Sequence, residues 1–205
     1  MALLVKKFGG TSVGDIKKIK NIASSICQSK EAGNEIVVVV SAMGQTTDDL
    51  NCLAESISKN PNRRELDMLL STGEQVTIAL LSMALNEYGI PAISMTGSQV
   101  GIITESIHGK ARILDIKTER IQNYINQGFV VVVAGFQGTT LSHTGSMEIT
   151  TLGRGGSDTS AVALSTALGA ETCEIYTDVP GVLTTDPRIV PNAKLLDEIS
   201  CEEML

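Results

Sequence analysis

Aromatic rings and positive charge are both scarce in this sequence of 205 residues. Aromatic residues make up only 3% of it, and tryptophan is absent, so there is little to stack on nucleic-acid bases. The formal net charge of −7 also opposes a broad attraction to phosphate backbones. The composition therefore argues against nucleic-acid binding, and any bound anion must rely on a few local cations and backbone amides.

Cysteine and histidine are too few and too dispersed to indicate a zinc site or a disulfide framework. The four cysteines form no C-x-x-C unit, and the two histidines, His108 and His143, are isolated. We therefore expect reduced, mostly packing thiols in a cytosolic protein without a metal site of its own. The longest apolar run, at residues 129–136, is too short to span a bilayer, which argues against a membrane protein.

What the sequence does contain is an alternation of strand-like and helix-like segments. The runs at 35–40 and 129–136 are typical of parallel strands covered on both faces. Helices are predicted at 16–33, 73–88, 117–128 and 157–169, further strands at 3–8, 91–97, 101–106, 110–116 and 173–178, a hairpin at 137–151 and a loop at 41–50. This alternation predicts one α/β domain, a three-layer sandwich with helices on both faces of a mostly parallel central sheet.

The polar, glycine-bearing loops of this pattern follow the predicted strands. They lie at residues 9–12, 41–48, 135–138 and 177–181. Because ligands of parallel sheets bind where the strands end, we expect the functional site at that edge of the sheet.

A lysine and two glycines stand at the end of the first predicted strand, in "KKFGGTS" (residues 6–12). Glycine lets backbone amides approach phosphate oxygens closely, and Lys7 supplies a positive charge nearby. The spacing is not that of a Walker A motif. On these residues alone, a phosphate-binding loop and a plain strand-ending turn with a solvated lysine both stay open.

The segment "GRGGSD" (residues 153–158) places an arginine and an aspartate around two glycines, just where a helix is predicted to begin. Ser157 or Asp158 could cap that helix, which would be a purely structural reason for them. Capping does not account for Arg154, whose guanidinium suits a bidentate grip on a carboxylate or phosphate. The pattern favours an anion-binding site.

Other charged residues carry weaker signals. Glu74 falls in the first turn of the helix predicted at 73–88, where the helix dipole is a sufficient reason for a carboxylate, although it could also be aimed at an ammonium group. The charge run at 62–67 is interpreted as a solvated face. A turn-rich loop contains Asp178, Asp186 and Arg188, which could form part of a site or only of turns.

Five segments, taken in order, resemble the aspartate kinases of the amino-acid kinase superfamily. They are "KKFGGTSV", "VVVVSAMGQTTDDL", "STGEQ", "TTLGRGGSDTSAVALSTALGA" and "IYTDVPGVLTTDPRIVPNA", and the resemblance runs from residue 3 to the last residue. It implies a carbamate-kinase-like fold, a cytoplasmic homodimer and use of MgATP. It also implies phosphorylation of the side-chain carboxylate of L-aspartate to 4-phospho-L-aspartate, the first step toward lysine, threonine, methionine and diaminopimelate.

The resemblance also implies roles for individual residues. Lys7 would lie against the transferring phosphoryl group and Asp158 would orient it, making these two the catalytic residues. Arg154 would bind the α-carboxylate of aspartate and Glu74 its α-ammonium group, with Ser41 and Thr47 as further substrate contacts. The nucleotide would be held by Lys7, Phe8, Gly9, Gly10, Thr177, Asp178, Asp186 and Arg188.

The sequence departs from the family in two places. Pro180 stands in the nucleotide loop where the family usually has an acidic residue, and proline stiffens a turn and removes a backbone donor. The chain ends in "DEISCEEML", the start of a predicted helix, where the family continues toward paired ACT regulatory domains. We therefore expect residues 1–205 to form a C-terminally incomplete catalytic domain without an ACT domain.

Two alternatives to an aspartate kinase stay open. One is another kinase of the same superfamily, acting on glutamate, acetylglutamate, carbamate or uridylate. The other is a non-catalytic module that binds a nucleotide or an amino acid, or that pairs with a complete kinase chain.

Overall fold

A computed structural model describes residues 1–141, 145–179 and 181–204 of the chain. The elements in chain order are β1 (Leu3–Phe8), α1 (Ile16–Glu31), β2 (Glu35–Val40), α2 (Thr46–Ile57), α3 (Arg63–Glu87), β3 (Ala92–Met95), α4 (Gly97–Val100), β4 (Ile102–Thr104), β5 (Ile113–Ile116), α5 (Glu119–Asn126), β6 (Val130–Ala134), β7 (Gln137–Leu141), β8 (Met147–Thr151), α6 (Gly156–Leu168), β9 (Thr172–Tyr176) and α7 (Cys201–Met204).

The larger sheet has five strands in the order β3-β6-β2-β1-β9, and every neighbouring pair is parallel. Its central strands, β2 and β6, are the β-branched runs of the sequence, and β6 is buried along its whole length. This burial confirms the prediction of parallel strands covered on both faces.

Helices cover both faces of this sheet and bury the alternating side chains of its strands. From β2, Ile36, Val38 and Val40 pack in the cluster that includes buried residues of α1 and α3. Val37 and Val39 point the other way, into the cluster formed with α5 and α6. The three-layer α/β/α sandwich is therefore confirmed.

A second, mixed sheet of four strands has the order β5-β4-β7-β8. Strands β7 and β8 form the antiparallel hairpin expected at 137–151, and β7 also pairs in parallel with β4. The hairpin therefore belongs to a separate sheet rather than to the rim of the large one. His143 lies outside the described residues.

Helix α3 differs most from the sequence prediction. It begins at Arg63 and not at residue 73. Asn62 is its N-cap, because the Asn62 side chain accepts hydrogen bonds from the backbone N–H groups of Arg64 and Glu65. Glu74 therefore lies in the middle of the helix, so its placement in a first turn was wrong. The loop expected at 41–50 was also wrong in part, because α2 begins at Thr46.

Helix α3 is long and apolar enough to cross a bilayer, by length and composition alone. Half of its most apolar stretch is buried in the fold, as in the core helix of a folded domain. The helix also carries two buried carboxylates, Asp67 and Glu74.

Candidate active site

A cleft of about 840 Å³ opens where the parallel strands β1 and β2 end. Six of the residues assigned from the sequence line it, namely Lys7, Ser41, Thr47, Glu74, Arg154 and Asp158. They come from β1, the segment after β2, the first turn of α2, the middle of α3, the loop after β8 and the first turn of α6. The site thus lies at the carboxyl edge of the sheet, as expected.

Lys7 and Asp158 form an ion pair at the floor of the cleft. Lys7 Nζ lies 2.6 Å from Asp158 Oδ1, and the lysine side chain is almost wholly buried while half of the aspartate side chain is exposed. In the described part of the chain that oxygen makes no hydrogen bond of regular geometry, so charge attraction holds the pair. The arrangement fixes a buried ammonium group at the end of β1.

Lys6, the preceding residue, points to the opposite face of the strand. Its ammonium group lies 3.0 Å from Glu174 Oε2 and donates a hydrogen bond to Ser29 Oγ. Both lysines are therefore buried and paired, but only Lys7 lines the cleft.

The "GRGGSD" segment is a tight glycine turn that leads into α6. Gly153 and Gly155 have φ angles of 82° and 72°, which only glycine adopts without strain. Gly155 is the N-cap, without a side-chain hydrogen bond, and Ser157 and Asp158 follow inside the first turn. The capping role considered for these two residues was therefore wrong, and Asp158 is instead directed at Lys7.

Gly156 shows how closely this turn packs. A Cβ at this position would lie 2.9 Å from Leu152 Cβ and 2.9 Å from a ring carbon of Phe136. Phe136, which lines the cleft, has a φ of 66° although it is not glycine. Its backbone N–H donates to Ser160 Oγ, which fixes this backbone conformation against α6.

Glu74 is a buried carboxylate of which only one oxygen has a hydrogen-bond partner among the described residues. Its side chain accepts a hydrogen bond from the Ala42 backbone N–H at 3.2 Å, whereas Oε2 has no partner among the described residues. Only 2% of the residue is exposed, and burial raises the pKa of Glu74 from its ordinary 4.5 to about 7. Such a group favours a cationic ligand, because a positive charge would restore its ionised form.

Arg154 is exposed and makes no ion pair within residues 1–141, 145–179 and 181–204. A second arginine, Arg63 at the start of α3, also lines the cleft. The cleft therefore offers guanidinium groups to an anion in addition to the buried ammonium group of Lys7.

Asp67, which belongs to the charge run at 62–67, is fully buried beside the cleft, so the interpretation of that run as a solvated face was wrong here. Its carboxylate accepts hydrogen bonds from Thr151 Oγ1 at 2.6 Å and from the Gly109 N–H at 3.0 Å. His108 Nδ1 lies 2.7 Å away, and the other ring nitrogen is 3.4 Å from Glu148. His108 is therefore not isolated in the fold.

Four of the nucleotide-site candidates, Lys7, Phe8, Gly9 and Gly10, lie at the end of β1 or just after it, and of these only Lys7 lines the cleft. The Phe8 side chain is buried and stacks on Tyr176 at 4.7 Å, so only its backbone could face a ligand. The Gly9 N–H donates a long hydrogen bond of 3.4 Å to the Tyr176 carbonyl. A Cβ on Gly10 would lie 2.9 Å from the Ala42 carbonyl oxygen, so this loop packs tightly on the segment after β2.

The remaining nucleotide-site candidates do not line the cleft. Thr177 and Asp178 follow β9, whose end lies beside the end of β1, and their side chains hydrogen-bond each other. Asp186 and Arg188 form an exposed ion pair at 2.7 Å, which lowers the pKa of Asp186. Pro180 lies outside the described residues, and the assignment of these four residues to a nucleotide stays a prediction.

Several cleft residues were missed from the sequence, namely Arg63, Asp67, Gly109, Phe136 and Thr151. One signal could have found Asp67. Asn62 is a good N-cap residue, and a helix that starts after it carries Asp67 and Glu74 on one face, two turns apart.

Comparison with known proteins identifies the family. Residues 2–205 match the amino acid kinase family, and the chain belongs to it. Within that family it is similar to an aspartokinase of Bacillus sp. (strain MGA3), with 62% identity over 205 residues, 100% of this chain and 49% of that protein. The chain spans about half the length of the curated relatives it matches.

Solved structures agree with this result. An aspartate kinase from Synechocystis is 60% identical with a TM-score of 0.85, covering 99% of this chain and 33% of that one. The E. coli aspartokinase III structure in complex with aspartate and ADP, in the R-state, is 28% identical with a TM-score of 0.80, covering 95% and 53%. A Giardia carbamate kinase, 15% identical with a TM-score of 0.74 over 99% and 81%, shares the fold. The resemblance to aspartate kinases and the carbamate-kinase-like fold are confirmed.

Proposed function

We propose that this protein transfers the γ-phosphoryl group of ATP to the side-chain carboxylate of L-aspartate, giving 4-phospho-L-aspartate and ADP. The observation that carries the proposal is the unpartnered buried oxygen of Glu74 in the same cleft as Arg154 and the Lys7–Asp158 pair. These groups suit an ammonium, a carboxylate and a phosphoryl group respectively. The similarity to E. coli aspartokinase III, which was solved with aspartate and ADP, supports the same substrates.

In this proposal the amino acid is held by its backbone groups. The α-ammonium group binds Glu74, whose charge it restores, and the α-carboxylate binds Arg154. Ser41 and Thr47, which also line the cleft, complete the contacts. The side-chain carboxylate is then free to point toward Lys7.

The chemistry asks little of the protein beyond alignment and charge. The aspartate carboxylate is already ionised at neutral pH, so it attacks the γ-phosphorus without a general base. One O–P bond forms while the bond to the β–γ bridging oxygen breaks, and ADP leaves with that electron pair. Lys7 offsets the negative charge between two anions, and Asp158 keeps its ammonium group in place.

The nucleotide is proposed to approach over the glycines after β1 and the segment after β9. The ends of these strands are adjacent, so Gly9, Gly10, Thr177 and Asp178 can share one ligand. Asp186 and Arg188 are proposed to join them from the following loop. Mg²⁺ would shield the phosphate charges. Because no cluster of three or more potential ligands occurs in the described residues, we assign it to the phosphates and water.

The direct test is acyl-phosphate formation, trapped with hydroxylamine, with L-aspartate, L-glutamate and N-acetyl-L-glutamate in parallel. A signal with L-aspartate alone is expected. Signal with another acceptor would assign the protein to a different kinase of the family. ATP binding without any acyl phosphate would instead favour the non-catalytic alternative.

A matched pair of variants tests the role of Lys7. Lys7→Met should lower kcat by at least about a hundredfold, because the charge between donor and acceptor is lost. Lys6→Met also removes a buried, ion-paired lysine, but on the other face of β1, and should leave kcat close to that of the unmodified protein. Equal losses in both folded variants would remove Lys7 from the catalytic role.

A further inference from the structure

Two buried carboxylates lie on one face of α3, about two turns apart, yet their surroundings differ. Glu74 has one oxygen without a partner in the described residues. Asp67 has both oxygens engaged, since Oδ1 accepts from Thr151 and Gly109 while Oδ2 accepts from Gly109 and lies 2.7 Å from His108 Nδ1. Glu74 is thus open to a ligand, whereas Asp67 is already saturated by the protein.

The partners of Asp67 belong to segments far away along the chain. His108, Gly109 and Thr151 are 41, 42 and 84 residues from it. The Ala111 N–H also donates to the Thr151 carbonyl, so the 108–111 segment and the end of β8 are joined twice. Asp67 is therefore one of the points where helix α3 is hydrogen-bonded to the smaller sheet.

The hydrogen bond between Thr151 and Asp67 also bears on the cleft, because Thr151 lies just before the turn that carries Arg154. Thr151 is the last residue of β8, and the chain then turns through Leu152 and Gly153 to Arg154. The Leu152 N–H donates to the Phe136 carbonyl, which leaves the turn little freedom at its start. Asp67 is thus bonded to the strand that leads to Arg154 and stands on the helix that carries Glu74.

We propose that Asp67 is a positioning residue that, through its hydrogen bond with Thr151, sets the spacing between Glu74 and Arg154. This inference rests on the proposed function, in which these two side chains bind the α-ammonium and α-carboxylate groups of aspartate. Asp67 does not contact the substrate, because its acceptor positions are occupied. It acts mainly on substrate binding, because the bonded strand leads into the turn that carries Arg154, whereas Asp158 lies within the first turn of α6 and is held by its ion pair with Lys7.

Neighbouring threonines of β8 provide the test. Thr151→Val removes the hydroxyl group that donates to Asp67 and keeps the shape of the side chain, whereas Thr151→Ser keeps the hydroxyl group. Thr150→Val is the matched control, because Thr150 is equally buried but its hydroxyl lies 2.6 Å from Thr104 Oγ1 on the other face of the strand.

Two readouts are needed in each variant. The first compares the KM for L-aspartate with kcat and with the KM for ATP. The second is hydrogen exchange of the backbone amides at 152–155, the turn before α6. In Thr151→Val the KM for L-aspartate should rise about fivefold or more, with kcat little changed, and exchange at 152–155 should be faster. Thr151→Ser should restore both, and Thr150→Val should change neither, although it lowers the melting temperature.

Equal behaviour of Thr151→Val and Thr150→Val in both readouts would overturn the inference and leave Asp67 a structural tie only. The failure of the proposed function is a separate result. It would appear as absent aspartate phosphorylation by the unmodified protein, while the exchange measurement still tests the positioning of the 152–155 segment.

Discussion

Glu74 is buried where a charged carboxylate is unfavourable. Its ionisation therefore affects both the stability of the fold and the proposed binding of an ammonium group. Desolvation raises its pKa to about 7, so that near neutral pH the empty site holds a mixture of charged and neutral forms. An ammonium ligand that binds the charged form would shift this equilibrium. A ligand-binding role accounts for a buried oxygen that has no partner among the residues the structure describes.

The stability of the protein should therefore fall as pH rises through the titration of Glu74. Its pKa is about 7 in the folded protein against an ordinary 4.5, so the folded state holds the extra proton between these values. The stabilisation is complete below pH 4.5 and is lost by about pH 7, a difference of about 3 kcal/mol. Glu74→Gln should remove this dependence, as measured by urea unfolding at pH 5 and pH 8.

The matched control for Glu74→Gln is Glu65→Gln, on the same helix. The Glu65 side chain is 65% exposed and forms a surface ion pair with Arg64, so its removal should leave the pH dependence as it is. At pH 8 Glu74→Gln should be more stable than the unmodified protein, by less than the full amount because its amide N–H lacks a partner. An unchanged pH dependence in Glu74→Gln would contradict the burial argument.

Individual site residues could be predicted from the sequence when the signal that marks them lies in the neighbouring residues. Lys7, Arg154 and Asp158 stand beside glycines at the ends of predicted elements, and this pattern was enough to locate the cleft. Asp67 could not be found in this way, because its partners become neighbours only when α3 packs against the smaller sheet. The pairing of Lys7 with Asp158 was likewise beyond local patterns and was expected only from the family resemblance.

Helix α3 shows why the bounds of an element are harder to predict than its existence. "STG" before Glu74 reads as a helix start, yet the helix passes through Gly73 without interruption. The structural reason for this glycine is close packing, because a Cβ on it would lie 2.8 Å from Ala42 Cβ. The same approach lets the Ala42 N–H reach Glu74. Gly73 therefore belongs to the architecture of the cleft.

Gly73→Ala should destabilise the protein although alanine is the better helix former. The propensity gain is about 1 kcal/mol, while forcing a methyl group into a packed contact costs about 1–3 kcal/mol and moves α3 away from Ala42. Thr72→Ala, at the exposed neighbouring position of the same helix, is the control and should not destabilise. Urea unfolding gives the free energy of unfolding of both variants. If Gly73→Ala gained as much stability as Thr72→Ala, the packing argument would be refuted.

The two sheets of the molecule were predictable to different degrees. The parallel sheet could be predicted from the β-branched runs of β2 and β6, which are buried on both faces. The smaller sheet has strands of three to five residues without long β-branched runs, and its parallel pairing of β4 with β7 has no local signal. Yet Arg154 enters the cleft from the loop that follows β8 of the smaller sheet, whereas Lys7 enters it from β1 of the large sheet. A ligand in the cleft would therefore connect both sheets.

This geometry predicts that L-aspartate stabilises the whole molecule, and does so more at pH 8 than at pH 5.5. At a fixed concentration of a hundred times its dissociation constant at pH 8, the ligand should add about 2.7 kcal/mol at that pH, read as a rise in melting temperature. The rise shrinks at pH 5.5 because Glu74, with a pKa of about 7, must lose a proton before it can bind an ammonium group. N-acetyl-L-aspartate keeps both carboxylates but lacks that group, so it should stabilise the protein far less. Equal shifts with the two ligands, or the same shift at both pH values, would show that Glu74 does not hold the α-ammonium group.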